Sequence, residues 1–247
     1  MENDNGLQVW NNVLESAMKL PFVRINRTSF LTKELKLYTS NLEDIHNKKP
    51  EEIINALYID KIAKKCINYH LTYVTGISAV SGIPGGFAMI GTVPTDIVQY
   101  YGHILALTQK LAYLYGYGDF TNDEEQLSDD TLGLLTLFIG IGFGSQSAGK
   151  ALAQLSKTLT PKIAHKIAAR PLTKTALYPI IKKVASNIGV KITKGSFAKT
   201  ASKIIPVLGA LTSGSLTYIT FRTMSRKINE NMCETMMDRI QIAKNES

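Results

Sequence analysis

Apolar residues recur along this chain three and four positions apart, a helical rather than a strand period, through almost every segment. Leu7, Trp10, Val13, Leu14, Ala17 and Met18 make one face of a first helix that Pro21 ends. Pro50 ahead of Glu51 and Glu52 predicts a helix start, with proline where a missing N–H costs nothing and carboxylates where the N-terminal dipole favours them. Asp60 is placed to cap the next helix, whose inner face reads Ile62, Cys66, His70 and Tyr73. Pro94 opens another, through Ile97, Val98, Tyr101, Ile104, Leu105 and Leu111 to a stop at Gly116. Farther on, Leu152, Leu155, Leu159, Ile163 and Ile167 form a stripe that Pro161 kinks or splits. Leu177, Ile180, Ile181, Val184 and Ile188 form the last, with Lys182 and Lys183 opposite and Gly189 as its C-cap. The expectation is an all-α fold: a single helical domain over 50–247, with a helical extension over 1–49 packing on it.

Three runs combine a lack of charge with closely spaced glycine. Leu71 to Thr95 holds Gly76, Gly82, Gly85, Gly86 and Gly91 with Pro84 and Pro94; Thr131 to Gly149 holds Gly140, Gly142, Gly144 and Gly149; Ile204 to Phe221 holds Pro206, Gly209 and Gly214. A spanning helix needs about 20 predominantly apolar residues, and the Pro84-Gly85-Gly86 sequence would break the first run at its centre. A re-entrant hairpin or a buried helical turn fits it better. Gly82 with Gly86, Gly140 with Gly144 and Ala210 with Gly214 have the spacing that lets helix backbones approach closely. Glycine-rich helical hairpins at the centre with basic amphipathic helices around them is the architecture expected, whether those hairpins are core or touch a membrane.

Charge changes the picture more than composition does. The 247 residues carry a formal +8, unevenly placed. Between Thr131 and Asn229 there is no Asp or Glu, while fifteen Lys or Arg fall from Lys150 to Lys227. Asp119, Asp123, Glu124, Glu125, Asp129 and Asp130 crowd just before that block. Lys157, Lys162, Lys166, Arg170, Lys182, Lys183, Lys191 and Lys194 are its candidate membrane- or anion-binding residues. Lysines flanking apolar helical stripes suit the surface of an anionic membrane, where each contributes roughly 1 kcal/mol. Nucleic acid is not the expected partner: the block lacks finger spacing and has few aromatics, only Tyr178, Phe197, Tyr218 and Phe221. The N-terminus has no signal-peptide pattern, so a cytosolic start is expected, and Cys66 and Cys233 are expected to stay reduced.

Gly82-Ile83-Pro84-Gly85-Gly86, Thr92-Val93-Pro94-Thr95-Asp96 and Ala112-Tyr113-Leu114-Tyr115-Gly116-Tyr117 together resemble the EcsC family of bacterial proteins. Cys66-Ile67-Asn68-Tyr69-His70, Leu135 to Gly140, Tyr178 to Lys183 and Ile205 to Gly209 extend the similarity from about Trp10 to Ile228. Thr95 stands where members of the family often have alanine. The resemblance implies a bacterial protein associated with the cytoplasmic side of the membrane, peripheral or partly inserted; the family takes its name from a protein encoded beside an ABC exporter. It implies no defined chemistry, and Gly82, Pro84, Gly85, Gly86 and Pro94 are its motif positions.

Candidate chemistry is sparse. Asp96, Gln99, His103 and Lys110 form a polar stripe on one helix, and Cys66 with His70 share a face of another. Were the two helices to meet, Cys66, His70, Asp96 and His103 could supply metal ligands or a proton-handling group. Otherwise Asp96 serves the helix N-terminus and the histidines are hydrogen-bonded core residues. No nucleophile elbow, zincin motif, P-loop lysine or dinucleotide fingerprint is present. Three functions remain open: a non-catalytic, cofactor-free accessory or regulator of a transport or secretion system, partnered by an anionic membrane and an integral membrane transporter; a helical pocket protein for a lipid or other apolar ligand; and a metal-dependent hydrolase at those four residues.

Overall fold

Helical periodicity becomes helix over most of the computed structural model, which describes residues 2–39, 41, 43–81, 89–90, 93–120, 128–158, 177–193 and 213–245; Leu159, Pro161, Ile163 and Ile167 lie outside the described residues. In chain order the elements are α1 (Glu2–Met18), α2 (Arg27–Leu35), α3 (Glu43–Asn47), α4 (Pro50–Ile53), α5 (Ala56–Ser81), β1 (Met89–Ile90), β2 (Val93–Pro94), α6 (Thr95–Leu114), α7 (Asp129–Gly142), α8 (Gln146–Thr158), α9 (Tyr178–Thr193) and α10 (Ser213–Asn245). The fold is all-α. The two strands are a two-residue antiparallel ladder, Met89 opposite Pro94 and Ile90 opposite Val93, that leads into α6.

α6 is the axis of the molecule. From Tyr100 to Leu114 every side chain but that of Lys110 is buried, as expected of a helix apolar on all sides. α1, α5, α7 and α10 pack around it, α9 lies chiefly against α1, and α10 also runs along α5 and α7. α6 stops at Gly116, whose φ of 78° suits glycine, and the Tyr117 N–H returns to the Ala112 carbonyl at 2.9 Å. α7 starts on Ser128, whose hydroxyl accepts from the Thr131 N–H, with Asp129 and Asp130 in the dipole-favoured first turn.

Several expectations from the sequence need correction. Asn55, not Asp60, caps α5: its side-chain oxygen accepts from the Leu57 N–H at 2.9 Å, while Asp60 sits a turn inside and pairs with Lys64 at 2.6 Å. Tyr73 points outward, because the buried face of α5 turns through Ile62, Cys66, His70 and Val74. Gly189 does not end α9. It lies within it, against α1, where a Cβ would collide with the backbone of Gly6. The two glycines thus bring two helix axes together, the role expected of the small-residue pairs. Gly140 also serves close packing, against Val184 and Ala148, but Gly144 makes the turn between α7 and α8 with φ 80°. Gly82, Gly85, Gly86, Pro84 and Ala210 lie outside the described residues. Among the described residues, no helix is long and apolar enough to cross a membrane.

Candidate functional site

Antiparallel packing of α5 on α6 brings their polar positions into one seam. His70 Nδ1 lies 3.1 Å from His103 Nδ1, and Lys110 Nζ lies 3.0 Å from His70 Nε2. His103 and Lys110 are seven apart on α6 and so share its face, with His70 reaching between them from α5. An ammonium can only donate, so His70 Nε2 is the acceptor of Lys110. That fixes the rest: His70 carries its proton on Nδ1 and donates to His103 Nδ1, which leaves the His103 proton on Nε2. Were Lys110 to lose its proton, the same three groups could be traversed in the opposite direction.

The seam is buried beneath rings. Phe22 stacks on His103 at 4.5 Å between centroids, Tyr69 meets His70 edge-on at 5.3 Å, and Lys110 Nζ lies over the Tyr69 ring at 5.3 Å. Phe22 is held there by a clamp from α6. Gln109 donates from Nε2 to the Val23 carbonyl at 2.7 Å and accepts from the Ile25 N–H at 3.3 Å, while Tyr113 donates to the Ile25 carbonyl at 3.1 Å. Nothing in the sequence marks Gln109 as more than a surface glutamine, yet it is fully buried.

Electrostatics follow from burial. His70 and His103 are 2% and 6% exposed. Desolvation, and after it the neighbouring Lys110 charge, pushes His70 down to about 2 and His103 down to about 4, so both are neutral near pH 7. Burial likewise depresses Lys110, and it lifts the Cys66 thiol to about 11, which makes that sulfur a poor nucleophile.

The four residues proposed as metal ligands do not assemble. Asp96 is exposed in the first turn of α6, about 10 Å along the axis from His103 at 1.5 Å per residue. Among the described residues, no three of His, Cys, Asp or Glu stand close enough to share a metal ion. The second face of His70 is taken by Lys110, whose charge opposes a cation. What the seam offers is a hydrogen-bond chain of two buried, neutral imidazoles that ends on the half-buried Lys110 ammonium.

The lysines fare differently one by one. Lys182 and Lys183 are exposed on α9, opposite the buried Ile181, Val184 and Ile188, with Lys182 Nζ 4.8 Å from the centre of the Tyr178 ring. Lys191 is exposed and donates to the Phe143 carbonyl at 3.3 Å, the place at the end of α7 where a cation is favoured. Lys157 lies in the last turn of α8, and Lys162, Lys166, Arg170 and Lys194 lie outside the described residues. Pro94 ends the small ladder.

Between α1, the start of α7 and the start of α9 is an open cavity of about 690 Å³. Trp10, Leu14 and Ile181 are among its apolar lining, and Arg24, Lys182, Asp129 and Asp130 among its polar lining. Trp10 is fixed by an Nε1–H bond to Thr136 Oγ1 at 3.0 Å and an edge-on contact with Tyr101. Comparison with protein-family models, with curated proteins and with solved structures finds no match to this chain.

Proposed function

We infer that this chain is a membrane-associated, non-catalytic bacterial protein, an accessory or regulator of a transport or secretion system that acts through a basic amphipathic surface on the cytoplasmic side. The resemblance to the EcsC family supplies the setting. The observation that carries the reading is α9, whose apolar face is anchored in the core against α1 while Lys182 and Lys183 stand outside, within a stretch of 99 residues that contains no acid. A rigidly held helix presenting lysines suits anionic headgroups better than a flexible tail would, because less backbone freedom is lost on contact. The buried histidine pair and the unreactive thiol speak against turnover. Co-sedimentation with vesicles tests the proposal: replacing Lys182→Glu and Lys183→Glu together lowers affinity for vesicles containing anionic lipid at least tenfold, on roughly 1 kcal/mol per cation, and leaves neutral vesicles unaffected. Equal binding of both proteins to both kinds of vesicle would overturn it.

A second reading, a pocket for a lipid or other apolar ligand, has the 690 Å³ cavity in its favour, a volume in the range of small-molecule sites. Its check is native mass spectrometry of the purified protein, where a retained lipid is the expected observation.

A further inference from the structure

A second surface, on the opposite partner of the seam, has the features of a bilayer contact that the basic block did not suggest. At 100° per residue, Tyr58, Lys61, Lys65, Tyr69 and Tyr73 of α5 fall within an arc of about 120°. All five are exposed, and Tyr69 and Tyr73 are 52% and 51% exposed although they are aromatic. They are ordered by polarity along the axis: the lysines at 61, 64 and 65 come first, then the tyrosine pair with ring centroids 4.7 Å apart, and from Leu71 to Ser81 the helix carries no charge. Beside its N-terminal half, the end of α2 adds exposed Leu37 and Tyr38, the latter touching Tyr58, and Leu57 is exposed next to them. Asp60 and Glu34 pair with Lys64 and Lys65, so the surplus charge rests on Lys61 and on Lys33 and Lys36 of the adjoining α2 segment.

We propose that this α5 face is a membrane-docking surface, laying its tyrosines at the headgroup level of an anionic bilayer with the lysines against the lipid phosphates. Tyrosine is favoured at that depth because its ring is apolar and its hydroxyl wet, and lysine because its stem packs while its ammonium reaches the headgroups. Interleaved aromatic and basic residues would also serve single-stranded nucleic acid. Exposed Leu37 and Leu57 favour lipid, since they have nothing to contact in a phosphate backbone. No helix among the described residues can span, so the contact is interfacial.

The proposal rests on the membrane reading above and is separable from it. The full chain is co-sedimented at pH 7.4 with vesicles of phosphatidylcholine and phosphatidylglycerol at a 7:3 ratio, as wild type, as the Lys61→Glu, Tyr69→Ser, Tyr73→Ser triple variant, and as the Lys182→Glu, Lys183→Glu variant. The expected result is a loss of at least tenfold in affinity for the α5 variant, with helical circular dichroism at the assay temperature matching that of the wild type. Tyr73→Trp adds a local reading: Trp10 is the only native tryptophan and is fully buried, so quenching by bromine-labelled acyl chains reports position 73. Quenching of at least half of the added emission is expected. If the α5 variant binds like wild type while the α9 variant does not, this surface is wrong and the membrane reading stands; if wild type ignores vesicles, both fall. A single-stranded oligonucleotide that the wild type binds more tightly than vesicles, with loss in the α5 variant, would also overturn it.

Discussion

Acid should unfold this protein earlier than its carboxylates require, and the histidine seam says by how much. Both histidines are held below the ordinary 6.5 of an unfolded histidine, to about 4 at His103 and about 2 at His70, chiefly by burial. A group depressed in this way binds its proton in the unfolded chain first, so stability is full above pH 6.5 and falls as pH drops below it. Between pH 7.5 and 5 each unfolded histidine gains about 2 kcal/mol that the folded one cannot share, a loss of about 4 kcal/mol for the pair. Against a typical stability of about 5–15 kcal/mol that is a large fraction. The window lies above the ordinary range of carboxylates, near 4, so they interfere little. Urea unfolding at pH 7.5, 6.5, 5.8 and 5.0 measures the slope. His103→Asn is the decisive variant, because its side-chain oxygen can still accept from His70 Nδ1–H but cannot titrate. Its absolute stability drops through the lost stacking on Phe22, yet its loss between pH 7.5 and 5 should shrink to about 2 kcal/mol. A wild type that loses under 1 kcal/mol across this range, or a variant with the same slope as wild type, would refute the reasoning.

Two further predictions concern how the helices are tied together. Arg239 of α10 donates to Glu51 Oε1 at 2.8 Å and to the Tyr115 carbonyl, and the Glu51 side chain is only 6% exposed, so Arg239→Ala strands a buried carboxylate. A loss of about 3–5 kcal/mol is expected in urea melts, with part recovered by adding Glu51→Gln. Gly189→Ala drives a methyl into the backbone of Gly6 and should cost about 3 kcal/mol, whereas Gly76→Ala, with open space around it, should gain about 0.5–1 kcal/mol by helix propensity, both read as shifts in thermal midpoint.

Within single helices the sequence was readable, and between helices it was not. The apolar stripes of α1, α6 and α9 emerge where their spacing puts them, because period alone decides which side of one helix is dry. The spacing also puts Phe221, Met224, Ile228, Met232 and Met236 on one buried stripe of α10, a pattern hidden by the polar residues between them. Register is another matter. His103 and Lys110 were visible as a stripe, and His70 as a member of another, but which of them would meet depends on how far α5 slides along α6. Asp96 carried the more suggestive chemistry and lies a full two turns from the contact, while the chemically bland Lys110 completes it. Gly189 is the same lesson in backbone terms: glycine near the end of a stripe can stop a helix or admit a neighbour, and only Gly6 on another element distinguishes the two.

The seam and the α5 surface are not independent. Tyr69 lies against both His70 and Lys110, and Tyr73 lies 6.2 Å from His103, so the rings that face outward on one side cover the polar chain on the other. Since desolvation is the largest cause of the depressed histidines, anything that removes these rings admits water and relaxes both toward ordinary values. A bilayer laid over the rings would leave them in place and keep water from the seam's outer edge, so the histidines stay neutral as they are under the tyrosines alone. At pH 7.4 the pair is uncharged in every one of these states, whether the cover is tyrosine, water or lipid. Docking measured there reads the surface alone, and docking measured near pH 5 reads the surface together with the protons beneath it.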